Sequence, residues 1–330
     1  MTSMKIWPSP KVVVIGGGTG TSTILRGLKQ HTDEITAIIT VMDDGGSTGR
    51  LRKDLDIIAP GDIRNCLIAL SNSEDEIDKL LDYRFSEGEM SGHSFGNLFI
   101  AAMNGVYKDF STAIRKTADI LKITGQVLPI TLTNTNLVAR LENGHTVRGE
   151  SSIPNVSHSL KSKIQKMYTE PDGVEMVDEA KMAIEEADIV ILGPGSLYTS
   201  IIPNLLVNDM VELLDNCKGK VCYVCNIMDQ EGETEKYTIS DHYDAIINHS
   251  KEGIIDYVIA NSGQIDSKLL EKYDESNSHF ISCIDEDRKY LDKQNVKLIE
   301  APIVKVKNSV IRHDADKLAE IIFRDVLMGA

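Results

Sequence analysis

The sequence predicts an α/β fold: one doubly wound, mainly parallel sheet with helices on both faces, into which a β-hairpin and a helical segment are inserted. Three observations predict it. An apolar run, Val12–Ile15, leads through Gly16-Gly17-Gly18-Thr19-Gly20-Thr21-Ser22 into a helix-like segment and then a second apolar run, Ile35–Val41. A connection of that length implies a parallel pair with a right-handed crossover. Glycine-rich loops then recur directly behind strand-like runs, as at Leu192-Gly193-Pro194-Gly195-Ser196. Finally, Asn143-Gly144 stands between two strand-like runs, a strong type I′ hairpin signal.

Taken in order, the patterns predict strand over Val12–Ile15, helix over Thr19–Gln30 and strand over Ile35–Val41. Glu74–Phe85 spaces Ile77, Leu80, Leu81 and Phe85 as a helix does, and Phe95–Val106 and Phe110–Lys122 read as two more. Leu128–Leu141 and His145–Ser151 form the hairpin, placed at an edge of the sheet. Ser157–Asp172 is polar and Lys-rich, and reads as a mobile surface segment. The α/β rhythm resumes with helix over Val174–Glu186 and strands over Asp188–Leu192, Val221–Asn226, Tyr257–Asn261 and Val296–Pro302. A helix over Asp314–Met328 closes the chain. This is one domain over 1–330: an N-terminal nucleotide-binding half (11–125), a hairpin and mobile insertion (126–173) and a C-terminal α/β half (174–330).

Bulk properties narrow the function. At 330 residues the chain buries a full core, and 42% apolar with 26% charged residues is ordinary for a globular protein. A formal net charge of −15 argues against a nucleic-acid-coating surface. A nucleotide is still compatible, because Arg50, Arg52, Lys53 and Arg64 sit in the loops. No apolar stretch approaches the roughly 20 residues of a membrane span. Met1–Pro10 lacks a signal-peptide core. A cytoplasmic protein is expected, and a homodimer is the commonest assembly for one. Five cysteines make no even disulfide framework; Cys222 and Cys225 lie in a buried strand pattern where i and i+3 point apart, which disfavours a redox or metal pair.

The loops carry the chemistry. Gly17, Gly18 and Thr19 follow a strand and open a helix, where backbone N–H groups and the helix dipole favour a phosphate. Gly16 and Gly18 match the first two positions of the dinucleotide fingerprint, but Thr21 departs from the third, so a nicotinamide enzyme is the weaker reading. Asp43-Asp44-Gly45-Gly46-Ser47-Thr48-Gly49-Arg50 gathers carboxylates, hydroxyls and a guanidinium. Asp43 suits a ribose and Arg50 a bidentate phosphate contact, with Gly46 and Ser47 in the turn. Pro60-Gly61-Asp62-Ile63-Arg64-Asn65 repeats the theme; Asp62 is either a helix N-cap or a ligand group, with Asn65 behind it. In Gly92-His93-Ser94-Phe95-Gly96-Asn97, His93 is a candidate general acid or phosphate donor, and Asn97 a candidate to orient a base or ribose. Gly195 and Ser196 end a strand and either hold an anion or cap the next helix. The carboxylates of Asp229-Gln230-Glu231-Gly232-Glu233 either coordinate Mg²⁺ or are solvated.

Together these segments resemble one family across nearly the whole chain, from Lys11 to the C-terminal helix. It joins bacterial YvcK-type gluconeogenesis factors to the archaeal-type 2-phospho-L-lactate transferases, the CofD-like proteins. The resemblance is carried by Gly16–Ser22, Asp43–Arg52, Pro60–Leu67, Gly92–Leu98, Gly125–Pro129, Leu192–Leu206 and Asn226–His242. Thr124–Pro129, the hairpin, Gly149-Glu150-Ser151 and Asp229–Thr234 resemble the gluconeogenesis-factor side, where Pro is common at the position of Glu231.

The resemblance implies a Rossmann-like sheet and a cytoplasmic regulatory protein that binds UDP-sugars, notably UDP-N-acetylglucosamine. It also implies support of cell shape and wall synthesis on gluconeogenic carbon sources, with no firm catalytic activity. It adds two ligand positions, Tyr273 and Arg312. The transferase branch moves a phospholactyl group from a guanosine diphosphate donor with Mg²⁺, and its metal or substrate acids map to Asp43 and Asp62, both kept here. No cofactor is expected to be required, and Mg²⁺ is expected only as a companion of a bound nucleotide sugar.

Overall fold

Valine and isoleucine cover both faces of the central strands, which a sheet sandwiched between helix layers requires. The computed structural model describes residues 9–72, 75–275 and 277–329. Its strands, in chain order, are β1 (Val12–Gly16), β2 (Ile35–Ile39), β3 (Gln126–Pro129), β4 (Asn136–Leu141), β5 (Thr146–Arg148), β6 (Ile164–Glu170), β7 (Ile189–Leu192), β8 (Lys220–Val224), β9 (Tyr257–Asn261), β10 (Lys297–Ala301), β11 (Val304–Lys307) and β12 (Val310–His313). Seven of them form one sheet in the order β10-β9-β8-β7-β1-β2-β3. All six pairings in it are parallel. β1, β2 and β7 are buried along their whole length. Each Val or Ile side chain so buried contributes roughly 1.5–3 kcal/mol.

This is a doubly wound, Rossmann-like order. The chain runs outward from β1 through β2 to β3, then returns to β7 beside β1 and runs outward the other way. The reversal opens a crevice at the carboxyl ends of β1 and β7, where ligands of such folds bind. α1 (Gly18–Leu28) starts behind β1 and α2 (Gly46–Leu55) behind β2, and α3 (Gly61–Leu70) follows α2.

Several expectations are corrected. The run Leu128–Leu141 is two strands in two sheets: β3 edges the main sheet, while β4 pairs antiparallel with β5 and β6 in a separate three-stranded sheet. Ser157–Asp172 is therefore no mobile segment. It holds the end of a helix, Ile153–Leu160, and the whole of β6, with Ile164, Met167 and Thr169 buried. The helix expected from Val174 begins at Asp178. Asp62 is not an N-cap: Pro60 holds that position and Asp62 lies in the first turn of α3. Glu74, the expected start of a helix, lies outside the described residues, and the helix runs Asp75–Asp82. Residues 1–8, which carried the signal-peptide reading, lie outside them too. Cys222 and Cys225 are buried and free, and burial pushes both thiols up, that of Cys225 to about 12.

Candidate functional site

The site begins where β1 ends. Gly17 caps α1 without any side-chain cap, and Gly18 takes φ +68°, a conformation that favours glycine. The cap residue thus supplies no side-chain bond to the first N–H groups of α1, and Asp62 from α3 takes the N–H of Gly18. Thr21, where the dinucleotide fingerprint wants glycine, is buried, and its hydroxyl donates to Gly17 O at 3.1 Å and to Pro194 O at 3.4 Å. A Cβ on Gly20 would collide with the Pro194 carbonyl. Close packing at Gly20 therefore seats the loop after β1 against the loop after β7, at the reversal of strand order.

A cleft of about 550 Å³ opens at this point. The loop after β1 gives it Gly17–Gly20, and the segment after β2 gives Thr40 and Asp43. Asp62 comes from α3, and Pro194, Gly195 and Ser196 from the loop after β7. The loop after β8 adds Asn226, Met228 and Gln230, and β12 adds Ile311, Arg312 and His313. Glu150 reaches in from beyond β5. Of the residues expected from the sequence, Gly17, Gly18, Thr19, Asp43, Asp62, Gly195, Ser196 and Arg312 therefore share one cavity.

The other seven do not line it. Ser47 Oγ lies 3.0 Å from His93 Nδ1, and Asn97 Nδ2 donates to Ser47 Oγ at 3.3 Å. Arg64 donates to Ser94 Oγ at 2.5 Å, to Asn97 Oδ1 at 3.2 Å and to Asn65 Oδ1 at 2.6 Å. Ser47, His93 and Asn97 are buried. This network sits behind the cleft floor: a Cβ on Gly61 would stand 2.6 Å from Thr48 Oγ1 and 3.1 Å from Asp43 Oδ2. Arg50 donates outward to Ser91 O at 2.9 Å, and Gly46 has open space beside it. Tyr273 acts one step away, its hydroxyl accepting the Ile311 N–H at 3.0 Å and so holding the strand that carries Arg312.

Charge divides the cleft. Arg312 is exposed on one side. On the other are Asp43, Asp62 and Glu150. Burial and the neighbouring Asp43 raise the Asp62 carboxyl to about 6, opposed by the Gly18 N–H and Arg64. Burial and then Asp43, Glu233, Asp44 and Asp62 raise Glu150 to about 8. Glu233 lies beneath the loop after β7, raised to about 7 by burial while Thr199 Oγ1 and Tyr198 N–H donate to it at 3.1 and 3.2 Å. Gln230 joins Glu233 to Ser196: its amide donates to Glu233 at 3.1 Å and its carbonyl accepts from Ser196 Oγ at 2.8 Å. Ser196 thus spends its hydroxyl on Gln230 and caps no helix by its side chain. Asp229 is equally engaged, accepting from the backbone N–H and ring of His279 at 2.5 and 2.9 Å. Neither Asp229 nor Glu233 is a solvated loop carboxylate.

Among the described residues no group of three or more His, Cys, Asp or Glu side chains is placed to hold a metal ion. Asp43 and Asp62 offer two carboxylates. Beside them lies Thr40, whose buried Oγ1 has no hydrogen-bond partner among the described residues. A Cβ on Gly17 would stand 2.7 Å from both Asp62 Oδ2 and Thr40 Cγ2. Such an all-oxygen set fits Mg²⁺, which commonly takes one or two carboxylates plus ligand phosphates.

The family described as 2-phospho-L-lactate transferase CofD matches residues 12–304. The chain belongs to the CofD-like family. Within this family it is similar to gluconeogenesis factors: that of Bacillus subtilis is 42% identical over 314 residues, covering 95% of this chain and 97% of the relative. That of Halalkalibacterium halodurans is 42% identical over 312 residues, covering 94% and 95%. A crystal structure of a Bacillus halodurans protein superimposes with a TM-score of 0.91 at 41% identity, covering 96% of this chain and 99% of that one. These likenesses agree with the resemblance read from the loops and with the doubly wound sheet.

Sequence reasoning missed Glu150, Thr40, Gln230 and His313 as cleft residues. Glu150 reaches the cleft because the Ser151 N–H donates to Asp44 Oδ1 at 2.9 Å, which docks the small sheet over the loop after β2. Gly149, with φ +95° beside Asp44, is a local signal of that docking.

Proposed function

We propose that this cleft binds a UDP-sugar, UDP-N-acetylglucosamine first among them, and that the chain is a cytoplasmic regulatory binder, a gluconeogenesis factor supporting cell shape and wall synthesis on gluconeogenic carbon sources. One observation carries the reading. The start of α1, the Gly195 turn and Arg312 come from distant parts of the chain and line one cavity. Backbone N–H groups at a helix start and a guanidinium are complementary to a diphosphate. Asp43, Glu150 and Gln230 supply acceptors suited to ribose and sugar hydroxyls. Where Mg²⁺ accompanies the ligand, Asp43 and Asp62 would hold it, and it would offset the diphosphate charge. The relatives' name, gluconeogenesis factor, supports that part of the reading.

Calorimetry with UDP-N-acetylglucosamine and Mg²⁺ tests this. Wild-type protein binds, and Arg312→Ala, which stays folded because the side chain is exposed, loses about 1.5–3 kcal/mol of affinity as a charge-assisted contact is removed. No heat with the wild-type protein removes the reading.

A second reading is a transferase that moves a phospho-group from a nucleotide donor with Mg²⁺. The pairing of Asp43 with Asp62 in the cleft favours it. Mass spectrometry after incubation with nucleotide-activated phospholactate decides it, and unchanged donors and acceptors count against it.

A further inference from the structure

His313 closes β12 next to Arg312 and lines the same cleft. It is buried, with 9% of its surface exposed. Its Nε2 lies 3.2 Å from the backbone carbonyl of Cys225, at the end of β8. A carbonyl oxygen only accepts, so Nε2 carries the proton. Burial lowers the imidazole to about 4, so the ring is neutral at physiological pH and holds one proton only. That proton is spent on Cys225. Nδ1 therefore keeps its lone pair, and the ring's hydrogen bond to a described residue is the one that Nε2 makes to Cys225.

We propose that His313 is a fixed hydrogen-bond acceptor of the cleft, taking a hydroxyl or N–H group of the bound nucleotide sugar through Nδ1. This rests on the cleft being the nucleotide-sugar site. The role is one of specificity. A lone pair locked in this direction repels a phosphate oxygen, so it steers the diphosphate to Arg312 and the glycine loops and asks for a donor beside them. A ligand with no donor there leaves a buried acceptor unpaired, which is how polar sites reject analogues. Neighbouring Arg312 points to the other face of β12 and has the opposite character, donors only.

Two substitutions separate this role from a structural one. In His313→Gln the side-chain amide still reaches Cys225 O, while the acceptor at the Nδ1 position is gone. In His313→Asn the carbonyl replaces Nδ1 and the bond to Cys225 is lost. Calorimetry with UDP-N-acetylglucosamine should give affinity about tenfold weaker for H313Q. H313N should stay within about threefold of wild type while melting at a lower temperature. A purely structural histidine gives the reverse order, and H313Q binding as wild type overturns the proposal.

UDP alone locates the donor: a loss in H313Q that persists with UDP puts it on the nucleoside, and one confined to the UDP-sugar puts it on the sugar. Nitrogen-15 NMR of histidine-labelled wild-type protein reads the ring directly. The proton should be on Nε2 before ligand is added, and the Nδ1 resonance should move when UDP-N-acetylglucosamine binds. A proton on Nδ1, or an unmoved Nδ1 in the bound protein, overturns the proposal whether or not H313Q folds. Wild-type protein that binds no UDP compound overturns the ligand reading instead, with the tautomer still measurable.

Discussion

Three acids in or under the cleft share one electrostatic signature. Asp62, Glu233 and Glu150 are raised to about 6, 7 and 8, each first by burial. A carboxyl raised on folding keeps its proton longer in the native state than in the unfolded chain. Its contribution to stability is then largest below the ordinary carboxylate range and declines as pH rises through the native value. Thermal melts in metal-free buffer should therefore show Tm falling from pH 7 to pH 9, above the range in which the buried His249 and His313, both lowered to about 4, add stability as pH rises. Glu150→Gln, neutral at every pH, should melt with the wild type at pH 5 and roughly a few degrees above it at pH 9. Parallel curves for the two proteins would mean that neither burial nor the acidic neighbours raise Glu150. At this scale the sequence was legible only in part. Asp43 and Asp62 stand in conspicuous loops, whereas Glu150 acquires its environment from Asp44, over a hundred residues away.

Among the elements, the β11–β12 hairpin matters most for the ligand, because it carries Arg312 and His313. It is a two-stranded ribbon outside the main sheet, and such ribbons need outside support. Tyr273 provides it through the hydroxyl that accepts the Ile311 N–H. Tyr273→Phe removes that bond and should weaken UDP-N-acetylglucosamine binding by about 1 kcal/mol while leaving the sheet core intact. Hydrogen exchange should speed up over Val304–His313 and not over β1 or β7. Unchanged exchange in the hairpin would contradict that supporting role of Tyr273.

The hairpin escaped the sequence reading for a physical reason. Its turn is Asn308-Ser309 with φ of +51° and +58°, a left-handed pair in which Ser replaces the expected Gly. β6 was hidden by a register shift: Arg140 faces Lys166 but Leu141 faces Ile164, so Gln165 is an extra residue and breaks the two-residue alternation. The first β-α-β unit was legible because its strands are buried on both faces and read as unbroken apolar runs.

Across the whole molecule, the strand order decides where the site lies. Reversal between β1 and β7 brings together loops separated by more than 170 residues, and the Thr21 hydroxyl and close packing at Gly20 hold them against each other. The loops after β2 and β8, the small sheet and the β11–β12 hairpin then wall the cavity on its remaining sides. Glycine-rich motifs pointed to this rim, and Gly18 and Gly195 do share it; Gly61 lies one layer behind, through Asp43, and Gly46 faces open space. The polar network of Ser47, His93, Asn97 and Arg64 explains the difference. Its residues look chemically active in sequence, yet they bond to one another beneath the floor.

A crystal structure of the protein with UDP-N-acetylglucosamine and Mg²⁺ tests the central claim most directly. The diphosphate should lie between the Gly17–Thr19 backbone and the Arg312 guanidinium, with the nucleotide sugar inside the cleft. Density for the ligand anywhere else on the molecule, or a diphosphate turned away from both Arg312 and the start of α1, would contradict the account.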